Sequence, residues 1–423
     1  MSVINWLIII GAPLIIGLVI LETVVARKRN MKLYTLSDSI TNLSCGILER
    51  VFDVFFSVLV LFGFNYIHEH VAPFPIELNI FTWIIGLFVA DFIAYWFHRL
   101  SHEINFLWAA HIVHHQSEEL NLTTVFRVSF LAVIYRACFF FWMALAGFDV
   151  FTIVTTSVFL GFYQLFTHSR VIGKLGIIEK FMTTPSHHRV HHARNEKYMD
   201  QNYGHIFIIW DRMFGSFVEE EEEPDYGITT GYERADPFDA VFSYWKNLFT
   251  RAGRTKRFVN KIKTFVKGPE YTPEDVPHLP DNYKTDANGN RLPHRIPINN
   301  ENTAYILLSV LITAIAFVSL LALKSKLGSE VTLSELATNK QVISIVLIIL
   351  FSVFAHARFI ENKSFLLLTE GTRLILIISL TIFGFLDSPI AFWLIPLVAS
   401  YCVIMFAWLL KLIVFSKNTL AKS

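Results

Sequence analysis

Histidine is the residue type whose number and spacing stand out in this chain. Ten of the 16 histidines lie between residues 98 and 192, in the motifs HRLSH, HIVHH and HHRVHH and singly in FTHSR. Neutral imidazole binds iron, copper, zinc and nickel well, whereas it binds magnesium and calcium poorly. The predicted metal ligands are His98, His102, His111, His114, His115, His168, His187, His188, His191 and His192.

The spacing inside these motifs predicts how the side chains are arranged. Residues three and four apart lie on one face of a helix, so each motif is expected to direct two or three imidazoles to one point. A metal ion takes roughly three to six ligands, so this number of convergent histidines implies two ions. His187 is ambiguous, because His188 competes for its direction and one of the two is expected to hold a neighbouring group instead.

Two other interpretations of the histidines are open. Isolated histidines such as His68, His70 and His356 are most simply surface or packing residues, and the grouped ones have the same simple alternative. The second is a metal transporter with a histidine-rich loop, although transport sites usually rest on ionisable residues near the middle of the membrane. The sequence contains neither the HExxH motif of zinc proteases nor the carboxylate-rich pattern of ferritin-type di-iron sites.

The composition is that of an integral membrane protein. Hydrophobic residues make up 53% of the chain and charged residues 17%, whereas soluble domains are about a quarter charged. The net charge is +1 and no basic stripe is interleaved with aromatics, so no nucleic-acid partner is expected. Cys45, Cys138 and Cys402 are far apart in the sequence, which argues against a disulfide framework or a CxxC site.

Apolar segments of bilayer-spanning length predict the rest of the architecture. Between the fifth and the sixth lies a polar stretch, about 169–302, whose acidic run 219–223 is interpreted as a solvated loop and whose end, 268–300, is loop-like. Within this stretch, residues 236–249 have apolar residues at helical spacing and are expected to lie in the membrane interface. The nine predicted spans are 3–26, 43–68, 79–97, 129–148, 150–167, 303–323, 341–357, 365–386 and 389–414.

The distribution of charge predicts which side of the membrane the histidines face. Lys and Arg concentrate in alternate loops, which the positive-inside rule identifies as cytoplasmic, and the N-terminus is then outside. All ten grouped histidines fall on the cytoplasmic face, of a bacterial inner membrane or an endoplasmic reticulum. The loops concerned are 27–42, 98–128, 168–302 and 358–364.

These elements predict an all-α fold, in which a transmembrane helical bundle carries a cytoplasmic, histidine-rich cap for two metal ions. Four regions are expected along the chain. They are N-terminal transmembrane helices (1–75), a di-metal catalytic region (76–220), a cytoplasmic loop with an interfacial helix (221–302) and C-terminal transmembrane helices (303–415).

Two longer motifs extend this prediction. The stretches TPSHHRVHHARN (184–195) and DQNYGHIFIIWDRMFGSF (200–217) resemble the signature of the fatty acid hydroxylase and sterol desaturase superfamily of membrane di-iron oxygenases. The resemblance implies that the histidines bind two iron ions, that O₂ is cleaved there, and that an alkyl C–H bond of a lipid is oxidised. Zinc can replace iron in a purified sample. We interpret Asp211 and Arg212 as a buried pair that fixes the helix after the last motif, and Asn202 as structural.

Three further segments are similar to the members of this superfamily that oxidise alkylglycerols. They are HRLSHEINFLWAAHIVHHQSEELNLTTVFR (98–127), YGIT (226–229) and KGPEYTP (267–273). The resemblance implies hydroxylation of the carbon beside the ether oxygen, followed by collapse to an aldehyde and glycerol. It also implies tetrahydrobiopterin or another electron donor, and an essential acidic Glu103, for which the alternative is a solvated or helix-capping carboxylate. Sterol or fatty acyl hydroxylation or desaturation stays open as the reaction.

Overall fold

The fold is all-helical, as the sequence predicts. The computed structural model describes residues 11–232, 234–277, 296, 298, 300–328, 331–361 and 365–420. Among these residues the only extended pairings are two isolated bridges, Met182 with Phe207 and Ala193 with Tyr226. The first eight residues of the predicted span 3–26 and most of the predicted loop 268–300 lie outside the described residues.

Fifteen α-helices follow one another in the described part of the chain. Two short 3₁₀ turns, Thr124–Phe126 and Gly176–Lys180, interrupt the series. The helices are α1 (Ala12–Lys28), α2 (Leu36–His70), α3 (Ile80–Glu103), α4 (Asn105–His115), α5 (Ala132–Leu145), α6 (Val150–Thr167), α7 (Pro185–His191), α8 (Ile209–Phe214), α9 (Pro237–Arg254), α10 (Phe258–Val266), α11 (Asn300–Leu327), α12 (Leu333–Thr338), α13 (Lys340–Ile360), α14 (Leu366–Phe385) and α15 (Ala391–Leu420).

Six of the described helices are long and apolar enough to cross a membrane, namely α3, α6, α11, α13, α14 and α15. The nine predicted spans exceed this number. Of the other three, α5 has 14 residues and the described helix α1 has 17. Helix α2 has 35 residues, and its first half is buried against protein around the ion-paired Glu49. The predicted span 129–148 therefore becomes a 14-residue helix, and the predicted span 43–68 becomes part of a helix whose first half is buried against protein, whereas the start of span 3–26 lies outside the described residues.

Helix α2 joins the two halves of the bundle. Its residues Leu48, Val51 and Val54 pack against α11 and α13 in one apolar cluster. Further along the same helix, Phe64 packs against Ala90 of α3 and residues of α5 and α6 in another cluster. The C-terminal helices and the histidine-bearing helices thus share one packing partner, which fixes α2 between them.

The histidine-bearing helices meet at one end of the bundle. Helix α4 begins two residues after α3 ends, and α6 ends immediately before His168. Thr184 and Pro185 begin the short helix α7 as N-cap and first-turn residues, the positions these residue types favour. The three long motifs and the single histidine are therefore carried by α3, α4, α6 and α7, which all end or begin in the same region.

A buried ion pair lies inside the C-terminal bundle. On α14, Arg373 donates through Nε to Oε2 of Glu370 over 2.9 Å, and both side chains are fully buried. The Tyr305 hydroxyl of α11 donates to the same oxygen over 2.8 Å. Ionisable groups held away from water in a membrane bundle persist only when they are paired. This pair therefore links α11 to α14.

Replacement of Arg373 by Met tests the importance of this pair. Removing one partner of a buried ion pair costs about 3–5 kcal/mol, because the other charge is left uncompensated. We expect Arg373→Met to lower the thermal unfolding temperature of the detergent-solubilised protein, followed by intrinsic fluorescence. The control is Arg373→Met combined with Glu370→Gln, which removes both charges and should recover most of the loss. An unchanged unfolding temperature in the single variant would contradict this account.

Candidate metal centre

Nine histidines form two neighbouring groups in the described structure. Within each group, one ring nitrogen from every residue lies within 4.8 Å of the corresponding nitrogens of the others. The groups adjoin each other, because the rings of His115 and His192 are stacked with centroids 4.6 Å apart. The first group is His98, His102, His111, His115 and His191, and the second is His114, His168, His188 and His192.

The two HxxHH motifs each divide between the groups: each directs two imidazoles to one point, as expected, and its remaining histidine to the other point. In an ideal helix, consecutive residues are turned by about 100°. His111 and His115 therefore project within about 40° of each other, whereas His114 projects about 100° from His115. The same geometry sends His191 to the first group and His188 and His192 to the second. Each motif thus supplies ligands to both points, which keeps the groups adjacent.

Outer hydrogen bonds fix the tautomer of five of the nine rings. In the first group, Nδ1 of His98 contacts the carbonyl of Tyr203 over 2.8 Å and Nδ1 of His191 contacts the carbonyl of Gln201 over 2.9 Å. A carbonyl only accepts, so each Nδ1 carries the proton and each Nε2 presents a lone pair. Equivalent contacts join His102 to Asp200, His114 to the Arg127 carbonyl and His168 to the Gln164 carbonyl.

The presented lone pairs face one another. Nε2 of His114 and Nε2 of His168 are 3.1 Å apart, although both rings carry their proton on Nδ1. Neither nitrogen can donate in that tautomer, so the contact repels unless a cation lies between them. Two nitrogens bound to one ion at about 2.0–2.1 Å are roughly 2.9–3.4 Å apart. The residues present therefore fit a bound metal ion.

Burial favours the neutral form of seven of the grouped imidazoles. Loss of water contact, followed by the neighbouring imidazoles, lowers the pKa of His115 and His192 well below the ordinary value. Burial alone is the leading cause at His168, whose pKa falls to about 4. A neutral ring is the metal-binding form, so the site does not have to release protons at neutral pH before binding. The same lowering applies to His111, His114, His188 and His191.

His187 lies outside both groups. Its Nδ1 accepts a hydrogen bond from the backbone N–H of Thr184 over 3.3 Å, which is the opposite tautomer to that of the grouped rings. Its ring packs edge-on against Phe217, and its carbonyl accepts a hydrogen bond from the Asn202 side chain. Of the two adjacent histidines, His188 joins the second group, while His187 holds the start of α7 against the following loop.

Glu103 and Asp200 differ in their relation to the first group. Glu103 is exposed and accepts a 2.8 Å hydrogen bond from Nε of Arg99. Asp200 instead contacts Nδ1 of His102 over 3.0 Å. In the described structure, the carboxylate that orients a grouped histidine is therefore Asp200. An essential role for Glu103 stays a prediction.

The loop between α7 and α8 is held by two buried carboxylates. Asp211 accepts hydrogen bonds from the backbone N–H groups of Tyr203 and Gly204. Asp91 of α3 accepts from the N–H of Ile206 and from the indole of Trp210. A Cβ added at Gly204 would lie 2.7 Å from the Phe207 carbonyl oxygen, so this position requires glycine. Together these contacts position the carbonyls of Tyr203 and Gln201, which accept hydrogen bonds from His98 and His191.

The structural role predicted for Asn202 agrees with the structure, whereas the pair predicted between Asp211 and Arg212 does not. Asn202 is buried and bridges the loop ends, donating to the Val218 carbonyl over 2.7 Å and accepting from the Val218 N–H, which fits a structural role. The predicted buried pair of Asp211 and Arg212 is wrong. Arg212 is exposed, stacks over Phe217 and donates to the Glu179 carbonyl, because adjacent helical residues project in different directions.

The acidic run 219–223 is more than a solvated loop. Both carboxylate oxygens of Glu220 accept from the guanidinium of Arg189 on α7, each over 2.6 Å. The same guanidinium donates to the carbonyl of Ile172 over 2.7 Å. Bidentate pairing of this kind is geometrically specific. The prediction of a solvated loop is therefore wrong for Glu220, and Arg189 joins the histidine helix both to Glu220 and to the segment after His168.

Three site residues are not among the predicted ones. Asp200 and His205 both lie in the DQNYGH motif, and the ring of His205 is 5.3 Å from that of His98. Burial lowers the pKa of His205 to about 4. Asp91 is a charged residue within an apolar span. An ionisable residue within a membrane span is a recognised signal of function, so Asp91 could have been found from the sequence. The contacts of all three depend on how the loop folds back.

Comparison with known proteins agrees with the motifs. The sequence profile of the fatty acid hydroxylase family matches residues 83–216. An alkylglycerol monooxygenase of Homo sapiens is 36% identical over 266 residues, which cover 62% of this chain and 59% of the human protein. The chain thus spans about three fifths of that relative. No solved structure matches the chain.

Two further relatives define the range of the similarity. An alkylglycerol monooxygenase of Danio rerio is 31% identical over 415 residues, which cover 95% of this chain and 88% of the fish protein. An ornithine lipid hydroxylase of Rhizobium tropici is 29% identical over 210 residues, which cover 47% of this chain and 59% of that protein. The family resemblance predicted from the motifs is confirmed.

Replacement of Asp200 tests the outer contact of His102. Loss of a group that orients a metal-binding histidine typically lowers metal affinity about 10–100-fold. We expect Asp200→Ala to show a loss in this range for Zn²⁺, measured by competition with a chromophoric chelator. The matched control is Glu103→Ala, which removes an exposed carboxylate next to His102 on α3 and should leave Zn²⁺ affinity unchanged. Equal affinities for Asp200→Ala and the parent protein would contradict this orienting role.

Acidification tests the burial of the site in metal-free protein. The pKa of His168 is lowered from 6.5 to about 4 by burial, so between these values the unfolded chain binds more protons than the folded one. Stability is therefore lost as pH falls through this window. We expect the unfolding temperature of metal-free protein to be lower at pH 5 than at pH 7.5. His168→Gln should reduce this dependence, and a flat profile in the parent protein would refute the burial.

Proposed function

Because this chain belongs to the fatty acid hydroxylase family and is similar along nearly its whole length to an alkylglycerol monooxygenase, we propose that it is a lipid monooxygenase. The proposed substrate is an alkylglycerol, hydroxylated at the carbon beside the ether oxygen. The hydroxylated product is a hemiacetal, which collapses to a fatty aldehyde and a glycerol derivative. The proposed cofactors are two iron ions held by the two groups of histidines.

The observation that carries this proposal is the pair of adjacent, largely buried imidazole groups. Five histidines in one group and four in the other suit two ions of a metal that favours nitrogen ligands. When bound, two iron ions supply the activation of O₂ and the oxidation of an unactivated C–H bond. The contribution of the protein itself is to hold the histidine ligands in one tautomer, to exclude water and to position the lipid.

The overall reaction sets what must reach the site. One oxygen atom of O₂ enters the C–H bond, and the other leaves as water after taking up two electrons and two protons. The lipid and O₂ are therefore the substrates, and an electron donor is the required partner. We propose tetrahydrobiopterin as the donor by similarity to the alkylglycerol monooxygenases, and another reductant is the alternative.

The placement of the groups supports a lipid substrate. His98 and His102 lie in the last two turns of α3, and His168 follows the last residue of α6. Both helices are candidate membrane spans, so both groups lie at span ends, within reach of an acyl chain. By the positive-inside rule we propose that this end is cytoplasmic, in an inner membrane or an endoplasmic reticulum. A soluble electron donor would then have access to the same face.

The four predicted regions of the chain become a proposed division of roles. Residues 76–220 would contain the metal site and the catalytic chemistry. The N-terminal helices within 1–75 would support it through α2, while 303–415 would form a separate membrane bundle against the same helix. Residues 221–302 would join the two and would carry the interfacial helix α9.

A second candidate is hydroxylation or desaturation of a sterol or a fatty acyl chain. It is favoured by the similarity to an ornithine lipid hydroxylase, a relative named for a different lipid. The same metal site would serve either reaction, because the lipid is selected by its surroundings. Release of a fatty aldehyde distinguishes the ether-lipid reaction from this alternative.

The direct test combines metal content with turnover. We expect two iron ions per purified chain and aldehyde release from a radiolabelled alkylglycerol in the presence of O₂ and reduced pterin. His191→Ala and His114→Ala, one from each group, should reduce bound metal and abolish turnover, whereas the exposed His70→Ala should change neither. Two irons without turnover of the ether lipid would favour the second candidate. Folded protein that binds no metal would refute the oxygenase, whereas metal uptake across the membrane with no O₂-dependent loss of any lipid substrate would favour a transporter.

A further inference from the structure

Helix α10 is oriented with its polar side inward. Thr264 is fully buried, and its hydroxyl donates to the Asn260 carbonyl within the helix. The residues on the opposite side are apolar and exposed, with exposed fractions of 74% for Phe258, 49% for Ile262 and 55% for Val266. A helix that packs on a soluble core shows the reverse pattern. The exposed apolar side therefore has a partner other than the helices described.

The same side is extended by helix α9. Phe249 is 61% exposed, and its ring lies 5.4 Å from that of Phe265 on α10. Phe242, two helical turns earlier on the same side of α9, is 48% exposed. We call this continuous set the hairpin face, and its members are Phe242, Phe249, Phe258, Val259, Ile262 and Val266.

Basic residues border the hairpin face. Residues 251–267 contain seven Lys and Arg and no Asp or Glu. In a helix, Lys261 and Lys263 project about 100° to either side of the apolar centre near Ile262. Their long side chains can lie along the apolar surface and place the ammonium groups at its edge. Acidic side chains follow at Glu270, Glu274 and Asp275, and Asp275 accepts from the Thr255 hydroxyl and the Lys256 N–H.

Aromatic contacts set the level of the hairpin relative to the bundle. Phe242 contacts Phe130, and Trp245 contacts Phe106, which in turn contacts Tyr135 near the start of α5. Helix α9 therefore lies beside the N-terminal end of the apolar helix α5. Tyr and Trp concentrate at the level of lipid headgroups. A bilayer that surrounded α5 would bring its headgroups to the level of the hairpin face.

From these observations we propose that the α9–α10 hairpin lies on the membrane surface and binds anionic lipids. The hairpin face would enter the boundary of the acyl chains, and the flanking Lys261 and Lys263 would contact the lipid phosphates. Each basic residue close to an anionic bilayer strengthens such binding about fivefold. The proposal does not depend on the reaction performed at the histidines.

The hairpin is also joined to the histidine helix. Asn105, the first residue of α4, donates through its backbone N–H to the Lys267 carbonyl over 2.9 Å and through its side chain to the Gly268 carbonyl. The Tyr244 hydroxyl of α9 donates to the side-chain oxygen of Asn105. Lipid binding to the hairpin would therefore hold the start of α4, the helix that carries His111, His114 and His115.

The test is site-directed spin labelling of the full chain in nanodiscs. A nitroxide is attached after Ile262→Cys or Arg254→Cys, each with the exposed Cys138 replaced by Ser. In α9, Arg254 projects about 140° away from Phe249, and because it is exposed it is the water-facing control. Accessibility to O₂ and to a water-soluble nickel complex is compared in phosphatidylcholine discs and in discs that also contain phosphatidylglycerol.

The expected result is a label at position 262 that is shielded from the nickel complex several-fold more in anionic than in neutral discs, while position 254 stays accessible in both. Lys261→Gln with Lys263→Gln should abolish this difference. Lys326→Gln with Lys340→Gln removes the same charge at the far ends of α11 and α13 and should preserve it.

Three results would overturn the proposal. In the first, position 262 is as accessible to nickel as position 254 in both discs, so no lipid covers the face. In the second, shielding is the same in neutral and anionic discs that hold a single protein, so the headgroup charge is irrelevant. In the third, shielding appears only in discs that hold two proteins, so a second copy covers the face.

Discussion

The structure depends on one arrangement of opposed lone pairs. Unprotonated imidazole nitrogens converge on two points from four helices, and at His114 and His168 they approach to 3.1 Å with no proton between them. Without a cation this packing is repulsive, so the apo arrangement is held only by the contacts outside it. Metal binding would relieve the repulsion, so occupancy of the site would stabilise the helices that carry it.

Those outer contacts are made by backbone as much as by side chains. The carbonyls of Tyr203 and Gln201 accept hydrogen bonds from His98 and His191. The loop that contains these two carbonyls is fixed by the carboxylates of Asp91 and Asp211. The chain of support therefore runs from a membrane helix through a loop to the ligands. Along this chain, each buried carboxylate or backbone group forms a hydrogen bond with the next group.

Sequence and structure agree where a short-range rule operates and differ where the tertiary fold decides. The pairing of His98 with His102 follows from helical spacing, and the all-helical membrane fold follows from the apolar segments. The assignment of His114 and His115 to different points requires the positions of α3, α6 and α7. Asp200 reaches His102 only because its loop turns back. Likewise, the sequence alone does not show that the predicted span 129–148 forms a helix of only 14 residues, or that the first half of α2 is buried against protein.

The order of these elements along the chain has a consequence for biogenesis. Every residue of both histidine groups lies before position 193, whereas α11 to α15 occupy the last third of the polypeptide. Since chains fold from the N-terminus as they are made, both groups can assemble on the ribosome before the C-terminal bundle is inserted. Docking of the bundle on α2 would then be a late step of assembly, after the residues of both groups have been made.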